Sequence, residues 1–174
     1  LAVRKYITDK GLSRILPDLY AVWESANSIK TETLPPQYVL KCNHDNGSVI
    51  PITDNYSIDS KFIKGFFKKR LSKCFGLETA EPHYRTIPRR IFAEELLEND
   101  KSFSDSLVSY KFFSFYGNTD YCQVIYDSKH HHNQKSIVYK ISNWEKQHGF
   151  ILKNEGILDI PCPNTITEMK SVIE

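Results

Sequence analysis

Two short turns constrain this chain more than any other feature. Residues 37–42 and 49–52 are rich in β-branched and aromatic side chains, and between them lies the polar run Asn43-His44-Asp45-Asn46-Gly47-Ser48. Asn-Gly is a strong hairpin signal because both residues accept positive φ at little cost. The pattern returns later: 107–116 is aromatic-rich, Gly117-Asn118 turns the chain, and 121–126 runs back. Strands joined by so few residues pair antiparallel, since a parallel pair needs a long crossover. The sequence therefore predicts strands near 37–42, 48–52 and 90–97 in a first region, and near 107–116 and 120–127 in a second. Residues 136–141 supply a further strand. The fold class is α+β, in two lobes with antiparallel sheets, 1–97 and 98–174, joined near 97–106.

Helical periodicity is clearest over 59–74. Phe62 and Phe66, with Ile63, Phe67 and Leu71, recur at i and i+4 as one apolar stripe, and Lys61, Lys64, Lys68, Lys69 and Lys73 fall mostly outside it. Asp59, or Ser57 just before it, can cap the start, and Gly76 marks the end. Residues 4–10 form an opening helix broken by Gly11, with a further turn at 12–16, and 20–23 is a short strand. Past Trp144 the pattern dissolves until Thr165 and Glu168, which have capping-box spacing and open a last helix.

Composition excludes several classes. Lys+Arg 23 against Asp+Glu 21 leaves a formal charge of +2 over 174 residues, so no strong field favours nucleic acid. Aromatic residues make up 13 %, which argues against disorder. No apolar run is long enough to span a bilayer and no leader pattern opens the chain, so the expectation is a cytoplasmic protein without a membrane span. Cys42, Cys74, Cys122 and Cys162 lack metal-pair spacing and are read as reduced thiols.

The residues able to carry chemistry are few. Lys41 interrupts an apolar strand just before the 43–48 loop. A lysine there either reaches phosphate as a point charge or faces solvent on a strand edge. His44, Asn46, Gly47 and Ser48 belong to a loop whose backbone amides can cover polyphosphate, although this is not the P-loop pattern. Glu94 and Glu95 are consecutive acids in a strand and must point to opposite faces, so one should be partnered or line a cleft. Lys111 repeats the Lys41 situation among Tyr110, Phe112, Phe113 and Phe115. Asp127 and Lys129 stand at a strand end, a place for metal or phosphate contact as well as for plain turns. His130-His131-His132 cannot all face one ion from a rigid element. No nucleophile elbow is present.

These same residues carry a resemblance. The stretch Tyr38-Val39-Leu40-Lys41-Cys42-Asn43-His44 through Ile50 resembles the "FVLKCNHGSG" segment of the TupA-like ATP-grasp family. Arg4-Lys5-Tyr6, Leu19-Tyr20-Ala21-Val22-Trp23, Ile91-Phe92-Ala93-Glu94-Glu95-Leu96-Leu97, Tyr110-Lys111-Phe112-Phe113-Ser114-Phe115-Tyr116-Gly117 and Asn143-Trp144 follow in the family's order, and Cys162-Pro163-Asn164 with Met169 is similar to its "RPxNLEEM" helix start. The resemblance implies an ATP-grasp-like fold holding ATP between two lobes, with ATP and Mg²⁺ as cofactors. It implies a carboxylate–amine ligase that forms an amide through an acyl phosphate, in cell-surface polysaccharide or teichuronopeptide biosynthesis, on a small-molecule, peptide or polysaccharide precursor. Lys41 would contact phosphate, the 44–48 loop would cover it, and Glu94, Glu95, Leu96 and Leu97 would form the adenine-binding hinge. Lys111 would be a further cation at the nucleotide or substrate. Apart from the resemblance, their place at a strand end makes Lys129 a further candidate cation and Asp127 the candidate metal ligand.

Some features depart from the family. Ser109 stands where an Asp is usual, and Asp127-Ser128-Lys129 where Asp-Arg is usual. The family's late metal-binding strand, "GELTF", would follow the helix that starts at Thr165, so the expectation is an incomplete ATP-grasp, truncated at both ends. Two other functions stay open: a glycosyltransferase of capsule or polysaccharide biosynthesis, and a non-catalytic nucleotide-binding remnant.

Overall fold

A computed structural model of the chain describes residues 1–76, 81–98, 104, 106–127, 134–150 and 154–174. The chain divides into two compact units, Leu1–Leu96 and Leu97–Glu174. The described residues form two four-stranded antiparallel sheets, one in each unit, and three α-helices.

The first sheet contains β1 (Leu19–Trp23), β2 (Tyr38–Cys42), β3 (Val49–Ile52) and β4 (Ile91–Glu94) in the order β1-β4-β2-β3. Alternation along β2 sends Tyr38, Leu40 and Cys42 to one face, where they join Ile52, Ile91 and Ala93 in a buried cluster. Helix α2 (Ser60–Ser72) closes that cluster with Ile63 and Phe67, 3 % and 0 % exposed. Burying side chains of this size stabilises by roughly 1.5–3 kcal/mol each. Pro51 lies on the edge strand β3, where its missing N–H removes no ladder bond from the sheet interior.

The helix stripe is narrower than the sequence pattern suggests. Ile63, Phe67 and Leu71 face the sheet, but Phe62 is 60 % exposed. It lies about 100° round the helix from Ile63, and Phe66 fills the flank between, edge-on to Phe67 at 5.1 Å. Asp59 is the N-cap, accepting from the Phe62 N–H at 2.9 Å. The helix stops at Ser72, before Gly76, which serves a different purpose. At its φ of +94° a Cβ would sit 2.3 Å from the Glu81 carbonyl oxygen, so only glycine fits. The strand expected over 90–97 ends at Glu94, leaving Glu95, Leu96 and Leu97 outside the ladder. Helix α1 (Ala2–Asp9) precedes the sheet.

The second sheet is a meander of β5 (Ser109–Phe115), β6 (Asn118–Tyr126), β7 (Lys135–Lys140) and β8 (Glu145–Gln147). The β5–β6 turn falls one residue earlier than expected. Phe115 pairs with Asn118, so the turn residues are Tyr116 and Gly117, with φ of +51° and +81°. Tyrosine therefore occupies the first positive-φ position that a two-residue hairpin of this hand demands. Strand β8 was not expected: three polar residues carry no periodicity of their own. It is fixed by Trp144, whose ring stacks on Tyr139 at 4.6 Å and whose Nε1 donates to the Ile160 carbonyl at 2.8 Å. Ile160 in turn donates its N–H to the Tyr139 hydroxyl at 3.0 Å, completing a core of Cys122, Val124, Tyr126, Ile137 and Tyr139. Helix α3 (Ile166–Ile173) starts after Thr165, but the Thr165 side chain makes no cap hydrogen bond, so the expected capping box does not form.

Candidate functional site

Strand order decides the surroundings of Lys41. Because β2 and β4 are the two inner strands, Lys41 is not on a sheet edge. Val39 pairs with Glu94 and Lys41 with Phe92, which makes Lys41 and Glu94 diagonal neighbours on the face opposite the α2 cluster. Lys41 Nζ donates to Glu94 Oε1 at 2.6 Å. The second oxygen, Oε2, lies 3.5 Å from Arg4 Nη1, carried there by α1. The Glu94 side chain is 10 % exposed, against 22 % for Arg4 and 34 % for Lys41. One buried carboxylate thus faces two partly exposed cations, and the group carries a surplus positive charge on an otherwise apolar sheet face. A charge this buried needs such partners.

The consecutive acids separate as their alternation requires. Glu94 is buried and paired. Glu95 is exposed; its N–H donates to the Asp18 carbonyl at 2.8 Å, while its Oε2 accepts from the Asp18 N–H at 3.2 Å. That reciprocal clamp ties the end of β4 to the start of β1. Leu96 is half-buried and Leu97 exposed.

The 43–48 loop is tied down by hydrogen bonds and an ion pair along its length. At its base Asn43 donates its N–H to the Arg90 carbonyl at 3.2 Å and accepts the Arg90 N–H on Oδ1 at 2.7 Å. Further along, Arg70 from the last turn of α2 reaches in. Its Nε pairs with Asp45 Oδ2 at 2.9 Å and also donates to Ser48 Oγ, which donates in turn to Asp45 Oδ2. Its Nη2 donates to the Asn46 carbonyl at 2.9 Å, and its own carbonyl lies 3.2 Å from His44 Nε2. His44 and Ser48 are 1 % and 2 % exposed, so their side chains are committed inward. Asn46 and Gly47 are exposed, with Gly47 at φ +88°. Sequence reasoning passed over both Arg4 and Arg70 as site residues. The one signal for Arg70 is that it is the single arginine among the lysines of 61–73, at a position where a forked donor suits buried polar partners.

Burial also sets the thiol behind Lys41. Cys42 faces the α2 side, and desolvation, reinforced by Asp45, pushes its pKa up to about 11, which leaves it protonated and inert at neutral pH.

The other expected residues lie in the second unit. Lys111 is exposed on the edge strand β5, opposite Gln123. Asp127 is half-buried at φ +53°, its N–H donating to Ser104 Oγ at 3.1 Å. Lys129 and His130-His131-His132 lie outside the described residues. No group of three or more His, Cys, Asp or Glu able to hold a metal occurs among the described residues, so these residues do not by themselves assemble a Mg²⁺ site around Asp127.

The class that this architecture defines is α+β, built on two antiparallel sheets. The family comes from the sequence: the profile of the TupA-like ATPgrasp family matches residues 1–155, and the chain belongs to that family. It is thus a protein of the ATP-grasp type, a group that generally uses ATP and Mg²⁺. Neither a curated protein nor a solved structure matches it. No helix among the described residues is long and apolar enough to cross a membrane.

Proposed function

We propose that the Lys41–Glu94–Arg4 cluster receives the phosphates of ATP, and that the chain serves an ATP-dependent carboxylate–amine ligation in cell-surface polysaccharide or teichuronopeptide biosynthesis, in the cytoplasm. The observation that carries the reading is the surplus cation: Glu94 is shared by Lys41 at 2.6 Å and Arg4 at 3.5 Å. When a phosphate arrives, Lys41 can turn from Glu94 to it while Arg4 still neutralises the carboxylate. A lysine prepared in this way reaches the anion without an unpaired buried charge being left behind.

The chemistry then follows the class. A substrate carboxylate oxygen attacks the γ-phosphorus, the bond to the β-phosphate oxygen breaks, and ADP leaves. An amine attacks the acyl phosphate carbon, phosphate departs, and the amine gives up a proton as the amide forms. Lys41 offsets the charge that accumulates on the transferring group, which positioning and electrostatics must stabilise. The exposed backbone of Asn46 and Gly47 is assigned to the phosphates, and Glu94, Glu95, Leu96 and Leu97 to the base. Lys111 and Lys129 are assigned as further anion contacts, and Asp127 as a carboxylate for a divalent cation.

The test is ATP binding followed by calorimetry. Lys41→Met should weaken it by roughly tenfold to a hundredfold, the scale of a lost charge-assisted hydrogen bond. An unchanged dissociation constant removes Lys41 from the site. Release of a nucleoside diphosphate from a nucleotide sugar, with no ADP formed from ATP, would replace ligation by glycosyl transfer.

A further inference from the structure

A phosphate-facing loop is a poor place for an acid, yet this one contains Asp45. An ionised carboxylate beside a triphosphate repels it, and the repulsion is strongest where water is excluded. The structure disposes of that charge in a particular way. The Asp45 side chain is 3 % exposed and turned onto α2, where its Oδ2 meets Arg70 Nε at 2.9 Å and the Ser48 hydroxyl. Its Oδ1 is buried and has no hydrogen-bond partner among the described residues, so the charge depends on what Oδ2 meets. The same guanidinium holds the Asn46 carbonyl through Nη2 at 2.9 Å, and the Arg70 carbonyl meets His44. His44, Asp45, Asn46 and Ser48 are thus all organised from one side chain and one backbone group.

We propose that Arg70 is the positioning residue of this loop: it neutralises Asp45, holds it inward, and so leaves the exposed backbone of Asn46 and Gly47 turned outward for an anion. The inference rests on the reading of the loop as phosphate-contacting. Arg70 touches no reacting atom; it acts through Asp45 and Asn46. Lysine cannot replace it, because one ammonium on a flexible stem does not span a carboxylate and a carbonyl in the fixed directions of Nε and Nη2. A purely structural arginine would make the same contacts, but its loss would lower the melting temperature without weakening ATP binding in a variant that stays folded. That difference gives the test.

The experiment compares wild type, Arg70→Gln, Arg70→Lys, Asp45→Asn and the double variant Asp45→Asn/Arg70→Gln, with ATP as the titrant. Peptide-level hydrogen exchange over 43–48 and thermal melting are recorded for each. Arg70→Gln should weaken ATP binding about tenfold or more, the scale of one uncompensated nearby charge, and speed exchange in the loop. Arg70→Lys should recover only part of the loss. Adding Asp45→Asn to Arg70→Gln should bring ATP affinity back to within about threefold of wild type, because the repelling charge is gone. The inference is overturned if Arg70→Gln, folded by its melting curve, leaves loop exchange unchanged, or if the double variant binds ATP no better than the single one. If Arg70→Gln does not fold, the double variant is compared with wild type: an ATP affinity more than about threefold below wild type, or loop exchange unchanged from wild type, overturns the inference. A wild-type chain that binds no ATP would overturn the phosphate reading and the affinity half of this inference together; exchange over 43–48 would still decide whether Arg70 sets the loop.

Discussion

Lys41 and Lys111 occupy nearly identical sequence settings, each the lone cation in an apolar strand, and the fold treats them differently. β2 is an inner strand with a neighbour on either side, so Lys41 finds Glu94 on β4 at 2.6 Å. β5 is an edge strand, and Lys111 is exposed opposite Gln123. Strand order is a non-local property, and it alone separates a lysine built into an ion cluster from one that is simply solvated. The two sheets differ in the same sense. In the first, both faces of β2 are buried or charged, while the second concentrates its burial around Tyr139 and Trp144.

The largest expected effect comes from alkaline pH and compares the two cores through their thiols. Burial raises the Cys42 pKa from 9.0 to about 11, and burial together with the nearby Cys162 raises that of Cys122 from 9.0 to about 12. Burial, then Glu32, raises Tyr38 from 10.0 to about 12. In the unfolded chain the thiols release their protons near 9, while the folded chain retains them. The stability contributed by these groups is therefore fully present below about pH 9 and is lost as pH rises from about 9 toward 12. Urea unfolding at pH 8 and at pH 10.5 should show this fall. Cys122→Ser and Cys42→Ser should each flatten it, and a flat profile in the wild type would contradict the burial of both thiols.

A second experiment bears on the two lysines directly. Lys41→Met leaves Glu94 buried with Arg4 at 3.5 Å as its remaining ion-pair partner among the described residues, and should cost roughly 1–2 kcal/mol of unfolding free energy. Lys111→Met, at an exposed position, should stay within about 0.5 kcal/mol of wild type. Equal losses would mean that strand order does not distinguish the two residues.

This contrast also marks how far the sequence could be read. The hairpins over 37–52 and 107–126 were legible because turn chemistry and β-branched runs are local signals, although the second turn sits one residue earlier, at Tyr116-Gly117. The 59–74 helix was legible for the same reason. Lys41 stood out as a cation in an apolar strand, but its partner did not, since nothing local joins residue 41 to Glu94 or to Arg4. The Asp45–Arg70 pair was hidden likewise: Asp45 lies in a loop and Arg70 on a helix, and nothing local joins them. β8 was missed because three polar residues gain their strand conformation from the Tyr139–Trp144 stack rather than from their own pattern.

The smallest expected difference concerns two helix starts that look alike in sequence. Asp59 and Thr165 are both residues of the kind that caps helices, and Thr165 has Glu168 at the capping-box spacing. Only one makes the bond. Asp59 accepts from the Phe62 N–H at 2.9 Å, which satisfies one of the amides that the first turn of α2 leaves open, and its charge lies favourably at the positive end of the helix dipole. Thr165 has φ −94° and ψ 9°, away from the extended conformation that a capping side chain usually requires, and its hydroxyl makes no cap bond. Asp59→Ala should therefore cost about 1 kcal/mol in urea unfolding, and Thr165→Ala less than about 0.5 kcal/mol. The reason for the difference lies in the packing. α2 must hold Ile63 and Phe67 in register against β2, so its first turn is fixed by the core beneath it, whereas α3 buries none of its residues and nothing forces Thr165 into a capping geometry. A Thr165→Ala loss as large as that of Asp59→Ala would show that the capping box forms in solution.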